Sequence, residues 1–297
     1  MKKKLVVKFI FALIVVAATS NCKNDNSNSY QEKPDRDSLF ISLYTRLPDP
    51  LPGEWRAEHP EPEQTLEAYK SLPPSIPDAI RNSIYLIPIG YFDSLELKLM
   101  TITGKYLQSI FNLKVYIEDP IFPDEIPADS RRNQQLNSGY ILRDILMNRL
   151  PENATGLMAL TSYDLYPEEN WNFVFGEANT VDRVGVSSFY RFGDPKESAE
   201  SFQLCLRRLL ATSSHEFMHM LSMQHCKEFV CVLNGSNSML ESDNKPLIIC
   251  PQCLEKLNFV LQENPENYFL RLQTFFHKYG FEEEEIFCKN VLSAFAH

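Results

Sequence analysis

The chain has 297 residues, of which 44% are hydrophobic and 23% charged, a composition typical of one large or two small domains that bury a core. Its 39 Asp and Glu outnumber its 29 Lys and Arg, and the formal net charge of −10 argues against a protein that binds nucleic acid through a basic face. The ten glycines and 19 prolines exclude collagen-like or Gly/Ser-rich repeats, and the seven cysteines are too few for a disulfide-rich miniprotein.

The N-terminus has the pattern of an export signal. Three lysines follow Met1, and the apolar run over residues 9–18 is too short to span a bilayer as a helix. Small and polar residues then lead into Cys22, which resembles a bacterial lipoprotein signal, in which cleavage exposes a cysteine that carries lipid. We therefore predict a signal peptide over residues 1–21, lipidation at Cys22, and an exported protein anchored by its lipid in the membrane of a bacterial cell envelope. A simple secretory signal with an incidental Cys22 is the alternative.

The rest of the chain is predicted to be a linker followed by one folded domain. Residues 22–40 are polar and poor in helix formers, which is typical of a linker, and we place the domain at residues 41–297. A proline-rich stretch over residues 51–77 is expected to wrap around the domain in an extended conformation.

Beyond this stretch, hydrophobic periodicity predicts an alternation of strands and helices. The predicted strands are residues 83–89, 113–117, 157–160, 172–175 and 184–189, and the helices between them are residues 95–111 and 139–150. This order indicates an α/β (α+β) fold, in which helices pack on a mixed, twisted sheet.

The longest predicted helix covers residues 197–221. Its apolar residues recur at intervals of three, four and seven positions, so that one face can pack on a core. They are Leu206, Leu209, Leu210, Phe217 and Leu221. Three further helices, at residues 254–262, 266–279 and 282–296, are expected to form a helical C-terminal cap over about 254–297.

A histidine motif lies at the end of the longest helix. His215 and His219 are four residues apart, so both imidazoles lie on one helix face and can reach a single cation. Glu216 is placed to approach a water bound to that cation. His225 can supply a third nitrogen if the chain turns back after the helix. Three protein ligands with an open position for water are typical of a catalytic zinc; the alternative is an amphipathic helix with merely hydrogen-bonded histidines.

Four cysteines follow the third histidine as two pairs separated by a short loop. They are Cys226, Cys231, Cys250 and Cys253. This spacing is typical of a tetrahedral thiolate zinc site, although two disulfides are also reasonable in an exported protein. The remaining cysteines of the domain, Cys205 and Cys288, are expected to be buried thiols.

The segment from His215 to Cys253 resembles the archaemetzincins, a family of zinc metallopeptidases with the signature H-E-x-x-H-x-x-G-x-x-H-C followed by C-x-M and C-x-x-C. Residues 84–90 and 183–191 are also similar to the family. The resemblance implies a metzincin-like fold and a peptide or protein substrate. It also implies a catalytic zinc on His215, His219 and His225, a structural zinc on the four clustered cysteines, and hydrolysis by a zinc-activated water with Glu216 as general base.

Two residues depart from this signature. Ser222 replaces a glycine at the bend after the helix, where a serine with positive φ would cost about 1 kcal/mol. Leu233 replaces the methionine of C-x-M and can fill a similar apolar volume. Neither change removes a ligand or the base. Because these departures lie at the site, the alternative function is a non-catalytic zinc-binding or adaptor protein that retains the scaffold.

A peptide substrate can bind as an added strand at an exposed sheet edge, since backbone pairing aligns it without demanding a particular side chain. We predict that residues 184–189 form this edge.

Overall fold

A five-stranded sheet lies at the centre of the fold in the computed structural model, which describes residues 36–72 and 75–296. Within those ranges the strands are β1 (Ser83–Ile89), β2 (Lys114–Ile117), β3 (Arg131–Arg132), β4 (Gln135–Asn137), β5 (Ala154–Thr161), β6 (Asp164–Tyr166), β7 (Gly176–Asn179) and β8 (Val184–Ser188). The main sheet has the order β2-β1-β5-β8-β7, and β3, β4 and β6 form a smaller sheet. All neighbours in the main sheet are parallel except β7, which runs antiparallel to β8 at one edge.

Helices cover both faces of the main sheet. They are α1 (Arg36–Ser42), α2 (Trp55–Glu58), α3 (Leu66–Ser71), α4 (Ser94–Phe111), α5 (Ser138–Tyr140), a π-helical turn (Ile141–Leu146), α6 (Met147–Arg149), α7 (Ala199–Met220), α8 (Met239–Asp243), α9 (Pro251–Leu261), α10 (Pro265–Tyr279) and α11 (Glu282–Phe295). Alternate residues of β5 enter different cores: Met158 packs with α4 and α7, whereas Leu157 packs with the segment from α5 to α6. Burial on both faces explains why β5 is continuously apolar.

Most predicted elements are confirmed with small shifts at their ends. The predicted strands at 83–89, 113–117, 157–160 and 184–189 correspond to β1, β2, β5 and β8, and the helix at 95–111 corresponds to α4. The helix predicted at 139–150 is present but contains the π-helical turn. The three predicted C-terminal helices correspond to α9, α10 and α11.

The strand predicted at residues 172–175 is wrong. Only Val174 makes a bridge there, to Leu165, and regular pairing begins at Gly176. The aromatic side chains of this segment pack on their neighbours: the Arg191 guanidinium lies 3.7 Å from the centre of the Phe173 ring, and the Phe175 ring lies 5.8 Å from that of Phe192.

The prediction that residues 184–189 form the exposed edge is also wrong. β8 lies between β5 and β7, and all five of its residues are buried. Its apolar and small residues are typical of a strand covered on both faces. The edge strand on this side of the sheet is β7, which precedes β8 in the chain.

The described part of the N-terminal region is more ordered than a linker. Helix α1 begins at Arg36, inside the predicted linker, because Phe40 packs against Phe295 with 5.2 Å between ring centroids. The proline-rich stretch contains the short helices α2 and α3.

Three predictions concern residues outside the described ranges and remain predictions. They are the signal peptide over residues 1–21, lipidation at Cys22, and residues 23–35 of the linker. Among the described helices, none has the length and apolar character needed to cross a bilayer.

Candidate metal centre and cleft

Helix α7 places the first two histidines beside the sheet. Its N-terminus is capped by the Ser198 side chain, which accepts a hydrogen bond from the Ser201 backbone. The predicted apolar residues of this helix are buried, which fixes its rotation against the core. His215 and His219 therefore lie on one face within its last two turns.

Ser222 makes the turn that brings the third histidine back. Its φ is +67°, the left-handed conformation that the signature glycine would adopt without strain. The Ser222 amide donates to the His219 carbonyl oxygen at 2.8 Å, and its Oγ donates to the Thr180 carbonyl oxygen at 3.1 Å. This sharp turn returns His225 to the other two histidines.

The positive φ gives a testable stability effect at this turn. We expect Ser222→Gly to raise the free energy of unfolding by up to about 1 kcal/mol, because relief of left-handed strain exceeds the loss of an exposed hydrogen bond. Ser222→Ala keeps the strain and loses the hydroxyl, so it should be less stable than the wild type. Urea unfolding of the three zinc-loaded proteins checks this order, and a glycine variant less stable than the wild type would contradict it.

The three imidazoles converge so that one ring nitrogen of each can reach the same metal ion. One ring nitrogen from each of His215, His219 and His225 lies within 4.8 Å of the others. The Nε2 atoms of His215 and His219 are 3.0 Å apart. Each Nδ1 contacts an oxygen acceptor, which fixes the tautomer with its proton on Nδ1. These acceptors are the Val232 carbonyl at 2.9 Å, the Met223 carbonyl at 2.7 Å and the Glu61 carboxylate at 3.0 Å. The donor set fits a zinc ion with three nitrogen ligands.

Electrostatics also favour metal binding by His215 and His219. Burial lowers the pKa of His215 well below its usual value, and repulsion from His219 adds to this effect. Burial likewise lowers the pKa of His219 to about 4, with repulsion from His225 as the next cause. Both rings are therefore neutral at pH 7, which is the form that coordinates a metal.

Glu216 lies between the histidines and the edge strand. A methyl group added at Gly176 would lie 2.7 Å from Cγ and 2.8 Å from Oε1 of Glu216, so the side chain passes directly over the glycine. Burial raises the pKa of the Glu216 carboxyl to about 8; the charge of Glu177 adds to this rise and Lys245 opposes it. A divalent cation on the adjacent imidazoles would supply an opposite charge and lower this pKa.

An open cleft of about 570 Å³ runs across this centre. One wall is formed by residues 171–178, which include the start of the edge strand β7. The opposite wall includes Trp55 and Lys245, and the three histidines and Glu216 form the floor. The cleft therefore places an edge strand beside a three-nitrogen site and a buried carboxylate.

The four clustered cysteines form a second site directly behind the first. Their Sγ atoms all lie within 4.8 Å of one another, and those of Cys226 and Cys250 are 3.5 Å apart. A disulfide would need about 2.05 Å, and the six described cysteines are free buried thiols. The disulfide alternative is thus wrong for this structure, and the expectation of buried thiols at Cys205 and Cys288 is confirmed.

Two backbone amides donate to one of the four sulfurs. The Cys250 and Leu233 amides point at the Cys231 sulfur, at 3.3 and 3.5 Å. Hydrogen bonds from neighbouring thiols, that of Cys231 first, lower the pKa of Cys226. Burial raises the pKa of Cys231, and hydrogen bonds within the cluster, that of Cys226 first, raise the pKa of Cys253. A bound cation would therefore be needed to hold all four sulfurs as thiolates, the form that coordinates a metal.

Leu233 links the two clusters. It is fully buried, and its carbonyl accepts from the Cys226 amide at 3.0 Å. The preceding residue, Val232, supplies the carbonyl that orients His215. The prediction that Leu233 fills an apolar space is therefore confirmed. The turn that carries the cysteines also positions His215, through the Val232 carbonyl.

Sequence reasoning missed three residues of the centre: Glu61, Gly176 and Lys245. Lys245 donates from Nζ to the Asn234 carbonyl at 2.9 Å and to the Ser236 hydroxyl at 2.8 Å, and burial lowers its pKa to about 8. A hydrogen bond from His225 lowers the pKa of Glu61. None of the three stands at a diagnostic spacing from the histidines, so only the fold brings them together.

The chain is similar in sequence and in fold to known proteins. The model of Peptidase family M54 matches residues 150–259. Archaemetzincin-2 from Homo sapiens is 31% identical over 243 residues, which is 69% of this chain and 67% of its own length. Archaemetzincin from Pyrococcus furiosus is 30% identical over 185 residues, 60% of this chain and 93% of its own. The crystal structure of archaemetzincin from Methanopyrus kandleri superposes with a TM-score of 0.52 and 25% identity, covering 63% of this chain and 99% of the other.

The mixed sheet, the helix carrying the histidine motif and these similarities define a zinc metallopeptidase, a hydrolase whose substrates are peptides or proteins. The chain belongs to the archaemetzincin family. The fold class expected from the resemblance is confirmed, and the family assignment favours a peptidase over the non-catalytic alternative.

Proposed function

We propose that the chain hydrolyses peptide bonds at a zinc ion held by His215, His219 and His225, with Glu216 as the general base. The observation that carries this proposal is that one ring nitrogen of each histidine lies within 4.8 Å of the others, with Glu216 lining the same cleft. When bound, the zinc lowers the pKa of water towards about 7 and polarises the scissile carbonyl. Glu216 then accepts a proton from the attacking water and transfers it to the leaving amine.

The substrate lies along β7 in this proposal. Since β7 pairs only with β8 in the main sheet, its other side is free to pair with an extended peptide that crosses the cleft. Such pairing brings a scissile carbonyl over the histidines without selecting a particular side chain. The carboxylates of Glu168 and Glu177 line the same cleft and favour basic side chains nearby.

A second zinc on the four cysteines completes the proposal, giving two zinc ions per chain. The four buried sulfurs within 4.8 Å of one another support it, as do the amides aimed at Cys231. Four cysteine ligands would leave such a zinc ion no open position, so it would hold the turn that carries His225 and the Val232 carbonyl.

Metal analysis beside a peptide-library digest tests the proposed function. We expect two zinc ions per chain, cleavage of peptides by the zinc-loaded protein, loss of cleavage after chelation, and recovery on adding zinc back. The clustered thiols should react with a thiol reagent only after chelation. A protein that retains zinc at the histidines and cleaves no member of a broad library would favour the non-catalytic alternative.

A further inference from the structure

The third histidine differs from the other two in where its hydrogen-bond partner comes from. The Nδ1 atoms of His215 and His219 donate to main-chain carbonyls of residues 232 and 223, which are near neighbours in the chain. His225 instead contacts both carboxylate oxygens of Glu61, at 3.0 and 3.2 Å, across 164 residues of sequence. One ligand of the proposed catalytic zinc therefore depends on a distant N-terminal segment.

This segment, residues 45–64, is named here the N-terminal strap. It is fastened along the turn that carries His225 by main-chain hydrogen bonds: the Leu47 amide donates to the Glu228 carbonyl at 2.9 Å, and the Val230 amide donates to the Thr45 carbonyl at 2.9 Å. Strap and turn are thus paired backbone to backbone before Glu61 is reached.

Further contacts hold the strap on each side of Glu61. The Lys227 ammonium donates to the Glu61 carbonyl oxygen. The Gln64 side chain donates to the Ser222 carbonyl at 2.9 Å and accepts from the Gln224 amide at 3.0 Å. These contacts reach the chain just before and just after His225, so the carboxylate of Glu61 is held in place relative to the histidine.

The strap also contacts the ring of His225 from a second direction. Trp55 lies edge-to-face with this ring at 5.2 Å between centroids, and its own amide donates to the Glu241 carboxylate at 2.9 Å. A ring held by an aromatic contact and by a hydrogen bond at Nδ1 has little freedom to rotate. Its Nε2 atom then remains directed at the other two histidines.

We propose that Glu61 is a positioning residue for His225: its carboxylate accepts a hydrogen bond from the Nδ1–H group, fixes the tautomer and the ring orientation, and so couples the N-terminal strap to the metal site. A charged acceptor is stronger than a carbonyl and raises the basicity of the opposite nitrogen. His225 depends on this contact more than His215 does, because the His225 side chain is 17% exposed whereas His215 is buried. The proposal rests on the proposed role of His225 as a zinc ligand.

Zinc affinity of the full chain tests this positioning role. We expect Glu61→Ala to weaken zinc binding at the histidines by about 10–100-fold, with Glu61→Gln between it and the wild type because the amide oxygen still accepts a hydrogen bond. Glu63→Gln is the matched control, since Glu63 lies on the same strap and contacts the Gln252 side chain instead. Competition with a chelator measures each affinity, and the cysteine cluster serves as an internal reference.

The outcomes separate this inference from the proposed function. Selective weakening at the histidines, with the cysteine site and the melting temperature unchanged, supports the positioning role. Wild-type affinity in Glu61→Ala overturns it, and so does equal weakening of both sites with a lower melting temperature, which would indicate general loosening of the strap. A wild-type chain that binds no zinc at the histidines contradicts the proposed function itself. Cobalt in place of zinc adds an optical signature of the altered ligand geometry.

Discussion

Replacing Glu216 by glutamine is expected to lower kcat/KM for peptide hydrolysis by about 10²–10⁴-fold while both clusters keep their zinc. The carboxylate is buried beside the histidines, and in the proposed mechanism it is the only group in the cleft floor that both accepts and returns a proton. Glutamine has nearly the same volume and is neutral, so it fills the same buried space without adding a charge. The loss should therefore be of the chemical step and not of the fold.

The measurement is kcat/KM on the best peptide of the library, beside zinc content and urea unfolding. Glu200→Gln is the matched control, because Glu200 is an exposed residue in the first turn of the same helix, far from the histidines. We expect this control to retain wild-type activity. Full activity in Glu216→Gln would show that Glu216 is not the general base.

Gly176→Ala should reduce kcat/KM by about 10–10²-fold with zinc retained, since misplacement of a catalytic group by about 1 Å costs up to 10²-fold. The added methyl group would lie 2.7 and 2.8 Å from atoms of Glu216, well inside contact distance, so the carboxylate must move away from its position over β7. Because the displaced atoms belong to a side chain and not to the backbone, the fold should tolerate the change.

A double-variant cycle shows whether Gly176 acts through Glu216. In the Glu216→Gln background the alanine substitution should have little further effect on the residual rate, because the base is already absent. Equal losses in both backgrounds would mean that the substitution blocks substrate at β7 instead, and the positioning role of Gly176 would be abandoned.

The sequence predicts the metal centre well because its ligands are close together in the chain. All seven lie between His215 and Cys253, so helical spacing and the spacing of cysteine pairs are enough to group them into two clusters. The departure at Ser222 was also predictable in its consequence: the positive φ was expected from the glycine of the signature and is observed.

The surroundings of the centre could not be predicted from local pattern. β7 has the sequence Gly-Glu-Ala-Asn, which lacks β-branched and aromatic residues, whereas the buried β8 carries the stronger strand signal. Local pattern therefore points to β8 as the edge strand of the main sheet, whereas the edge strand is β7. Glu61 reaches His225 from a proline-rich segment without periodicity, and Gly176 meets Glu216 only because a strand and a helix pack together.

The central claim is that three histidine nitrogens and four cysteine sulfurs each hold one zinc ion, the first site beside Glu216. Anomalous X-ray scattering at the zinc absorption edge, from crystals of the purified chain, tests it most directly. We predict one peak about 2.0–2.1 Å from the Nε2 atoms of His215, His219 and His225, and a second about 2.3 Å from the four sulfurs. Crystals of zinc-loaded protein with no peak at the histidines would contradict this claim.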